Sequence, residues 1–150
     1  MTKQKTKNYF KAGKNDIYWV GSNFQEYFGK MDFVKVAETT LQVRKLECNM
    51  LDKEILEQWK PEESSLSEFH YALENWEKVG LLKDGYANIF YIRDEDNTLW
   101  AVGADWDADR GGWDVSADGV DGPYGWGAGR QVVSRNGLFD TKTLGEFVSR

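Results

Sequence analysis

The sequence is poor in the residues that most often build metal sites and nucleophilic active sites. It has one cysteine, Cys48, and one histidine, His70, among 150 residues. A lone cysteine forbids an internal disulfide, fits a reducing compartment and leaves no thiol cluster for zinc. A lone histidine leaves little choice for the base that usually activates a nucleophile. We expect Cys48 to be a small core residue. We expect His70 to lie at a helix boundary and to form a local hydrogen bond. We also expect that the protein is not an enzyme.

Long hydrophobic runs are also missing. No apolar stretch approaches the roughly 18 residues that a membrane span needs, and the initial Met-Thr-Lys-Gln-Lys is not followed by the apolar segment of a signal peptide. We therefore predict a cytoplasmic protein that has no membrane partner.

What the sequence does contain is enough apolar material for one core. Hydrophobic residues make up 41% of the chain and aromatic residues 15%, with seven tryptophans. A chain of 150 residues has the commonest size of a single domain. Residues 1–14 hold five lysines and no acidic residue. We predict a flexible basic arm at 1–14 and a single α+β domain at 15–150.

The clearest helix signal lies near the middle of the chain. Ser65 and Glu68 have the spacing of a capping box, an apolar stripe at helical spacing follows, and Gly80 is placed to end the helix. This pattern predicts a helix at 66–79. Weaker patterns predict strands at 17–20, 31–36 and 40–48, and helices at 23–28, just before residue 60, and at 141–148.

After Gly85 apolar and polar residues alternate, which is typical of half-buried strands. The strands are predicted at 86–93, 98–106, 113–120 and 130–134. Short polar connections between them predict hairpins. The whole pattern predicts an α+β fold with a mainly antiparallel β-meander at about residues 86–134, packed against a few short helices from the N-terminal half.

Charge is distributed unevenly. The net charge is −6, yet residues 84–121 contain ten acidic and two basic side chains, a net of −8. Such a segment would attract basic surfaces and steer association. An alternative explanation is that these are solvated turns and strand faces, whose charge keeps sheet edges from pairing with other chains.

We predict a non-enzymatic protein-binding module that acts through an acidic, Trp-rich face of the meander. Tryptophan and tyrosine often anchor interfaces, and charged residues often surround such anchors. The expected partner is a protein with a basic surface, attracted by the carboxylates and anchored on the tryptophans. The predicted partner-binding residues are Asp94, Glu95, Asp96, Asp105, Trp106, Asp107, Asp109, Trp113, Asp114 and Asp118.

Three other classes of function remain open. An inhibitor that mimics phosphate or DNA, of the kind used in viral and mobile-element counter-defence, requires acidic groups spaced along one face. A Ca²⁺- or carbohydrate-binding module would use the 105–114 loop. A two-carboxylate hydrolase requires a cleft and a carboxylate with a raised pKa. The overall acidity argues against strong direct binding of nucleic acid by the chain.

The cation alternative rests on alternating oxygen ligands. Asp105, Asp107 and Asp109 have the spacing that a hard cation such as Ca²⁺ can use. The pattern departs from an EF-hand loop at Arg110 and at Ser116, where that loop needs a glycine and a bidentate carboxylate. No other cofactor is predicted.

Overall fold

The computed structural model describes residues 5–6 and 8–135 of the chain. The predicted helix at 141–148 and the predicted Asn136-Gly137 turn lie outside the described residues. Within them there are four helices: α1 (Ser22–Phe28), α2 (Asp52–Gln58), α3 (Leu66–Glu74) and α4 (Trp76–Val79). None of these helices is long and apolar enough to cross a bilayer.

Eight strands complete the α+β fold of the described residues. They are β1 (Lys5–Thr6), β2 (Ile17–Val20), β3 (Phe33–Val34), β4 (Gln42–Lys45), β5 (Asn88–Arg93), β6 (Leu99–Asp107), β7 (Gly112–Gly119) and β8 (Gln131–Ser134). β1 and β3 form a small antiparallel pair, and the others form a main sheet in the order β2-β7-β6-β5-β8-β4.

The main sheet is mixed, so the predicted meander is only partly present. β5, β6 and β7 are consecutive antiparallel neighbours, as expected. β8 does not continue this pattern, because it pairs in parallel with the far side of β5 and antiparallel with β4. β2 adds a second parallel pair beside β7. Alternation of apolar residues locates a strand but does not specify its neighbour, which explains the difference.

Helix α3 begins at the predicted capping box. Ser65 Oγ accepts a hydrogen bond from the Glu68 amide at 3.3 Å, and the Glu68 carboxylate accepts one from the Ser65 amide at 2.9 Å. The single helix predicted at 66–79 is instead divided at Asn75. The Asn75 side chain donates to the Tyr71 carbonyl at 2.9 Å, a local bond that competes with helical backbone bonding.

The larger of two cores lies between the main sheet and helices α1, α3 and α4. Tyr9 and Phe10, from the predicted basic arm, belong to it and are each 6% exposed. The Phe10 ring lies 5.3 Å from the ring of Phe24 and 5.4 Å from that of Phe69, measured between centroids. Burial of side chains of this size is a major source of folding free energy.

His70 lies inside the larger core. Its ring is 4.5 Å from Tyr9 and 5.2 Å from Phe33. Its Nε2 is 3.2 Å from the Glu74 carboxylate, but neither ring nitrogen has a well-oriented hydrogen-bond partner among the described residues. Burial lowers the pKa of His70; Glu74 opposes this shift and Lys35 adds to it. His70 is therefore buried rather than at a helix boundary, and its contact with Glu74 is not the well-oriented local hydrogen bond that was predicted.

The smaller core lies on the opposite side of the main sheet, under α2. Ile55 of α2 packs there with Ile89, Tyr91 and Val132, which come from β5 and β8. α2 thus covers the half of this side that contains β5 and β8. The other half, on β6 and β7, carries polar side chains and holds the candidate site.

Cys48 is exposed, so its prediction as a small core residue is wrong. That prediction followed from the usual burial of free cysteines. β4 ends at Lys45, so the strand alternation does not extend to Cys48.

Candidate functional site

Aspartate side chains are concentrated on one side of β6 and β7. Neighbouring residues of a strand point to opposite sides of the sheet. Because Ala104 and Val115 belong to the larger core, Asp105 and Asp114 point away from it. The same alternation places further polar side chains beside them. We call this surface the acidic sheet face; it comprises Asp105, Asp107, Asp114, Ser116 and Asp118.

The carboxylates of the acidic sheet face repel one another. Burial raises the pKa of Asp105 to about 6, and the charges of Asp114 and Asp107 add to the shift, while Arg130 partly offsets it. Burial and the Asp107 charge also raise the pKa of Asp114, against the influence of Arg110. Asp114 Oδ1 is buried and has no donor among the described residues. Carboxylates perturbed in this way are concentrated at functional sites.

Two tryptophans border the acidic sheet face. Trp19, on the edge strand β2, pairs with Asp114 in the sheet and is 49% exposed. Trp126 approaches β6, where its ring comes within 3.5 Å of the position that a Cβ atom on Gly103 would occupy. Gly103 therefore leaves room for the Trp126 ring. One aromatic ring thus lies beside β7 and another lies above β6.

Trp126 is fixed by its backbone and by its indole nitrogen. Its amide donates to the Met50 carbonyl at 2.8 Å, and its carbonyl accepts from the Met50 amide at 3.0 Å. Its Nε1 donates to Asp52 Oδ1 at 2.8 Å, and the Tyr91 hydroxyl donates to the same oxygen at 2.7 Å. Asp52 is only 5% exposed. Burial raises the pKa of Asp52, while the bonds from Tyr91 and Trp126 limit the rise.

A cavity of about 310 Å³ opens beside Trp126. Two carboxylates, two aromatic rings and three glycines form its wall: Asp52, Asp118, Tyr124, Trp126, Gly119, Gly122 and Gly125. A Cβ atom on Gly125 would lie 2.7 Å from the Met50 carbonyl oxygen, so only glycine lets this segment approach Met50 closely.

The two tryptophans predicted as anchors lie on the opposite side of the sheet from the acidic sheet face. Trp113 is 2% exposed, and its ring is 5.3 Å from that of Trp106. Trp106 packs against the larger core, and Lys83 Nζ lies 3.9 Å above its ring. Sequence neighbours on one strand alternate between the two sides. A partner seated on the acidic sheet face would therefore not touch either ring.

The predicted site residues Asp94, Glu95 and Asp96 lie in the β5–β6 turn, at the other end of β6 from the β6–β7 turn. Asp94 is 7% exposed, and its Oδ1 accepts from the amides of Asp96 and Thr98. Its Oδ2 accepts from Trp100 Nε1 at 2.9 Å. Burial would raise the pKa of Asp94, but these hydrogen bonds hold it below its usual value. Asp94 therefore stabilises a turn, and its two neighbours are exposed.

The 105–114 segment is a hairpin whose turn contains Asp109. Asp105 and Asp107 lie within β6. Asp107 accepts from the Arg110 amide at 3.1 Å and from its guanidinium at 3.4 Å, which is ordinary turn chemistry. In the described part of the chain, no group of three or more His, Cys, Asp or Glu side chains is arranged to hold a metal ion.

The site residues predicted from the sequence do not include Trp19, Asp52, Tyr91 or Trp126. Asp52 and Tyr91 are 39 positions apart, and Asp52 and Trp126 are 74 apart, so only the folded chain brings them together. One local signal existed at Gly103. A glycine inside a strand often marks the close approach of another group.

No protein-family model matches the chain, and no curated protein or solved structure is similar to it. Its function must therefore be inferred from the chemistry of its own residues.

Proposed function

We propose that this chain is a non-enzymatic, cytoplasmic binding protein that captures a protein with a basic surface on its acidic sheet face. The observation that carries the proposal is the pairing of Asp105 with Asp114 across neighbouring strands. Opposed like charges destabilise a sheet. A basic partner would relieve this repulsion, so the pair favours the bound state.

The charges around the acidic sheet face support an attraction for cations. It carries four aspartates; among the described residues, Arg130 influences Asp105 and Arg110 influences Asp114. Arg110 is already paired with Asp107. The remaining negative charge would steer a basic protein towards the surface and increase its rate of association.

The aromatic residues that border this face would supply the contact area. Trp19 is half exposed, and Trp126 is held rigidly by Asp52 and Met50. A rigid aromatic side chain loses little conformational entropy on binding, which makes it a good interface anchor. We therefore assign anchoring to Trp19 and Trp126.

The proposal is tested by capture from a lysate of the source organism, with two variants that change the charge equally. The face variant carries Asp105→Asn, Asp114→Asn and Asp118→Asn. The control variant carries Glu26→Gln, Asp32→Asn and Glu77→Gln, at exposed positions away from the acidic sheet face. Proteins retained by each immobilised variant are identified by mass spectrometry at low and high salt.

We expect the original protein and the control variant to retain the same discrete basic protein, which high salt releases. The face variant should retain at least about tenfold less of it, since loss of several charge contacts costs a few kcal/mol. Equal loss in both variants would show that only net charge matters, and no loss in either would contradict the proposal. If the captured protein binds nucleic acid and duplex DNA competes with the chain for it, the acidic sheet face mimics phosphate.

A two-carboxylate hydrolase is a second candidate because the pKa of Asp105 is raised to about 6 beside a second carboxylate. A general acid needs a pKa near the working pH. Turnover of chromogenic glycosides that disappears in Asp105→Asn would favour this candidate. The cavity beside Trp126 is lined by Asp52 and Asp118 rather than by the Asp105–Asp114 pair, which is why binding is our first proposal.

A further inference from the structure

The buried carboxylate of Asp52 keeps one oxygen free for the cavity beside Trp126. Both of its hydrogen bonds, from Tyr91 and from Trp126, end on Oδ1. The hydrogen bonds of the described residues place no donor on Oδ2, and Asp52 forms part of the cavity wall. A carboxylate oxygen in this position can accept a charge-assisted hydrogen bond from a cationic ligand in the cavity.

A second carboxylate, Asp118, lies on the same cavity wall. Burial is the main cause of the raised pKa of Asp52, and the charge of Asp118 adds to it. No cation of the described residues forms an ion pair with either of them. Within residues 5–6 and 8–135, no cation neutralises these two carboxylates, so a cationic ligand could do so.

Aromatic rings form the rest of the recognition surface. Trp126 cannot turn freely, because its Nε1 is bonded to Asp52. Tyr124 is 87% exposed beside it. A cation placed over such rings is attracted by their π-electrons, and a planar guanidinium also stacks on them.

The size and chemistry of the cavity suit a single cationic side chain. A volume of about 310 Å³ is at the lower end of the range for small-molecule sites. A bare Ca²⁺ ion needs about six to eight oxygen ligands, and two carboxylates do not supply that number. A neutral sugar would stack on the rings but would leave both charges uncompensated. A guanidinium satisfies the carboxylates with several donors and stacks on the rings as well.

We propose that the cavity formed by Asp52, Asp118, Tyr124 and Trp126 receives an arginine side chain of the basic partner. This inference rests on the proposed function and adds a specific arginine-binding site to it. We call this cavity the socket. The acidic sheet face would attract the partner, and the socket would select an arginine at one position.

The test uses N-acetyl-arginine amide as the probe and N-acetyl-citrulline amide as its uncharged counterpart. Each is titrated into the ¹⁵N-labelled chain, and the indole N–H signal of Trp126 is followed. Asp118→Asn removes one carboxylate from the cavity wall. Asp121→Asn makes the same charge change three positions away, at an exposed residue that does not line the cavity.

We expect saturable movement of the Trp126 signal with the arginine probe, with a dissociation constant on the order of 1–10 mM. The citrulline probe should bind at least about tenfold more weakly, because it lacks the charge. Asp118→Asn should weaken arginine binding about three- to fivefold, as the loss of a partly exposed ion pair implies, and Asp121→Asn less than about twofold.

The inference is overturned if no saturable shift occurs, if citrulline binds equally well, or if Asp118→Asn and Asp121→Asn have the same effect. If the probe fails but the face variant still loses the partner, only the socket is wrong. If the probe binds but partner capture does not depend on the acidic sheet face, the proposed function is wrong, and the cavity is an arginine-binding site that does not serve that partner.

Discussion

Asp105 of β6 lies directly opposite Asp114 of β7, with both carboxylates on the side of the sheet that faces away from the larger core. Cβ atoms in such a pair are about 4.5–5.5 Å apart. The repulsion raises the free energy of the folded protein. Replacing one member should therefore stabilise the fold while weakening partner capture, which is the trade-off expected at a functional site.

Asp105→Asn should stabilise the protein at pH 7 by about 1 kcal/mol, a value reduced for the solvent screening of a partly exposed group. The pKa of Asp105 is about 6 in the folded protein and 3.8 in its reference state, so the folded state takes up this proton first as the pH falls. The original chain thus recovers stability between pH 7 and pH 4, and the difference from the variant should shrink to roughly a fifth of its pH 7 value near pH 4. Urea unfolding at both pH values measures this. Asp121→Asn is the control, and an effect of Asp105→Asn that did not change with pH would contradict the explanation.

His70 should titrate below its usual pKa of 6.5, because burial disfavours the charged ring. The unfolded chain then binds the proton first as the pH falls, so His70 makes the fold less stable below about pH 6.5. The charged groups that act on it are Glu74 and Lys35. Since His70 is the only histidine, a single set of ring signals in an NMR titration reports its pKa. A midpoint at or above 6.5 would show that Glu74 outweighs burial.

Tyr91→Phe should destabilise the fold by about 2 kcal/mol, because the buried carboxylate of Asp52 loses a charge-assisted hydrogen bond. The matched control is Tyr18→Phe, at a side chain that is 44% exposed, which should change stability by less than about 0.5 kcal/mol. Thermal unfolding of the two variants makes the comparison. Equal effects would mean that the Tyr91 hydroxyl contributes nothing specific.

Gly125→Ala should destabilise the fold by about 1–3 kcal/mol, because its Cβ atom would be forced against the Met50 carbonyl. The displacement should also move Trp126, which is bonded to Met50 through its backbone, and change its indole N–H signal. Gly119→Ala is the control, since a Cβ atom there meets nothing within 4 Å. Matching losses from Gly125→Ala and Gly119→Ala would argue against a steric cause.

The local patterns of the sequence predicted most strands and helices of the described residues. The strand at 17–20 and the capping box at Ser65 are confirmed, because both depend on neighbours within a few positions. The place of β8 between β5 and β4 was not predictable in this way, because pairing depends on the whole sheet.

The candidate site was likewise only partly predictable from local sequence patterns. The charge map identified the aspartates of β6 and β7, since charge is visible in the sequence. Trp106 and Trp113 were predicted as anchors, but strand alternation places their side chains on the opposite side of the sheet from those aspartates. Asp52 and Trp126 come from distant segments, and no local pattern connects them.

The position of β8 affects the order in which a ribosome-bound chain can fold. β4 has β8 as its partner in the main sheet, and β8 comes 86 or more residues later in the chain. Until residues 131–134 leave the ribosome, β4 has no strand to pair with and one side of β5 stays open. We therefore expect the nascent chain to complete its main sheet only after β8 has emerged, with earlier intermediates relying on chaperones or on the speed of translation to avoid pairing with other chains.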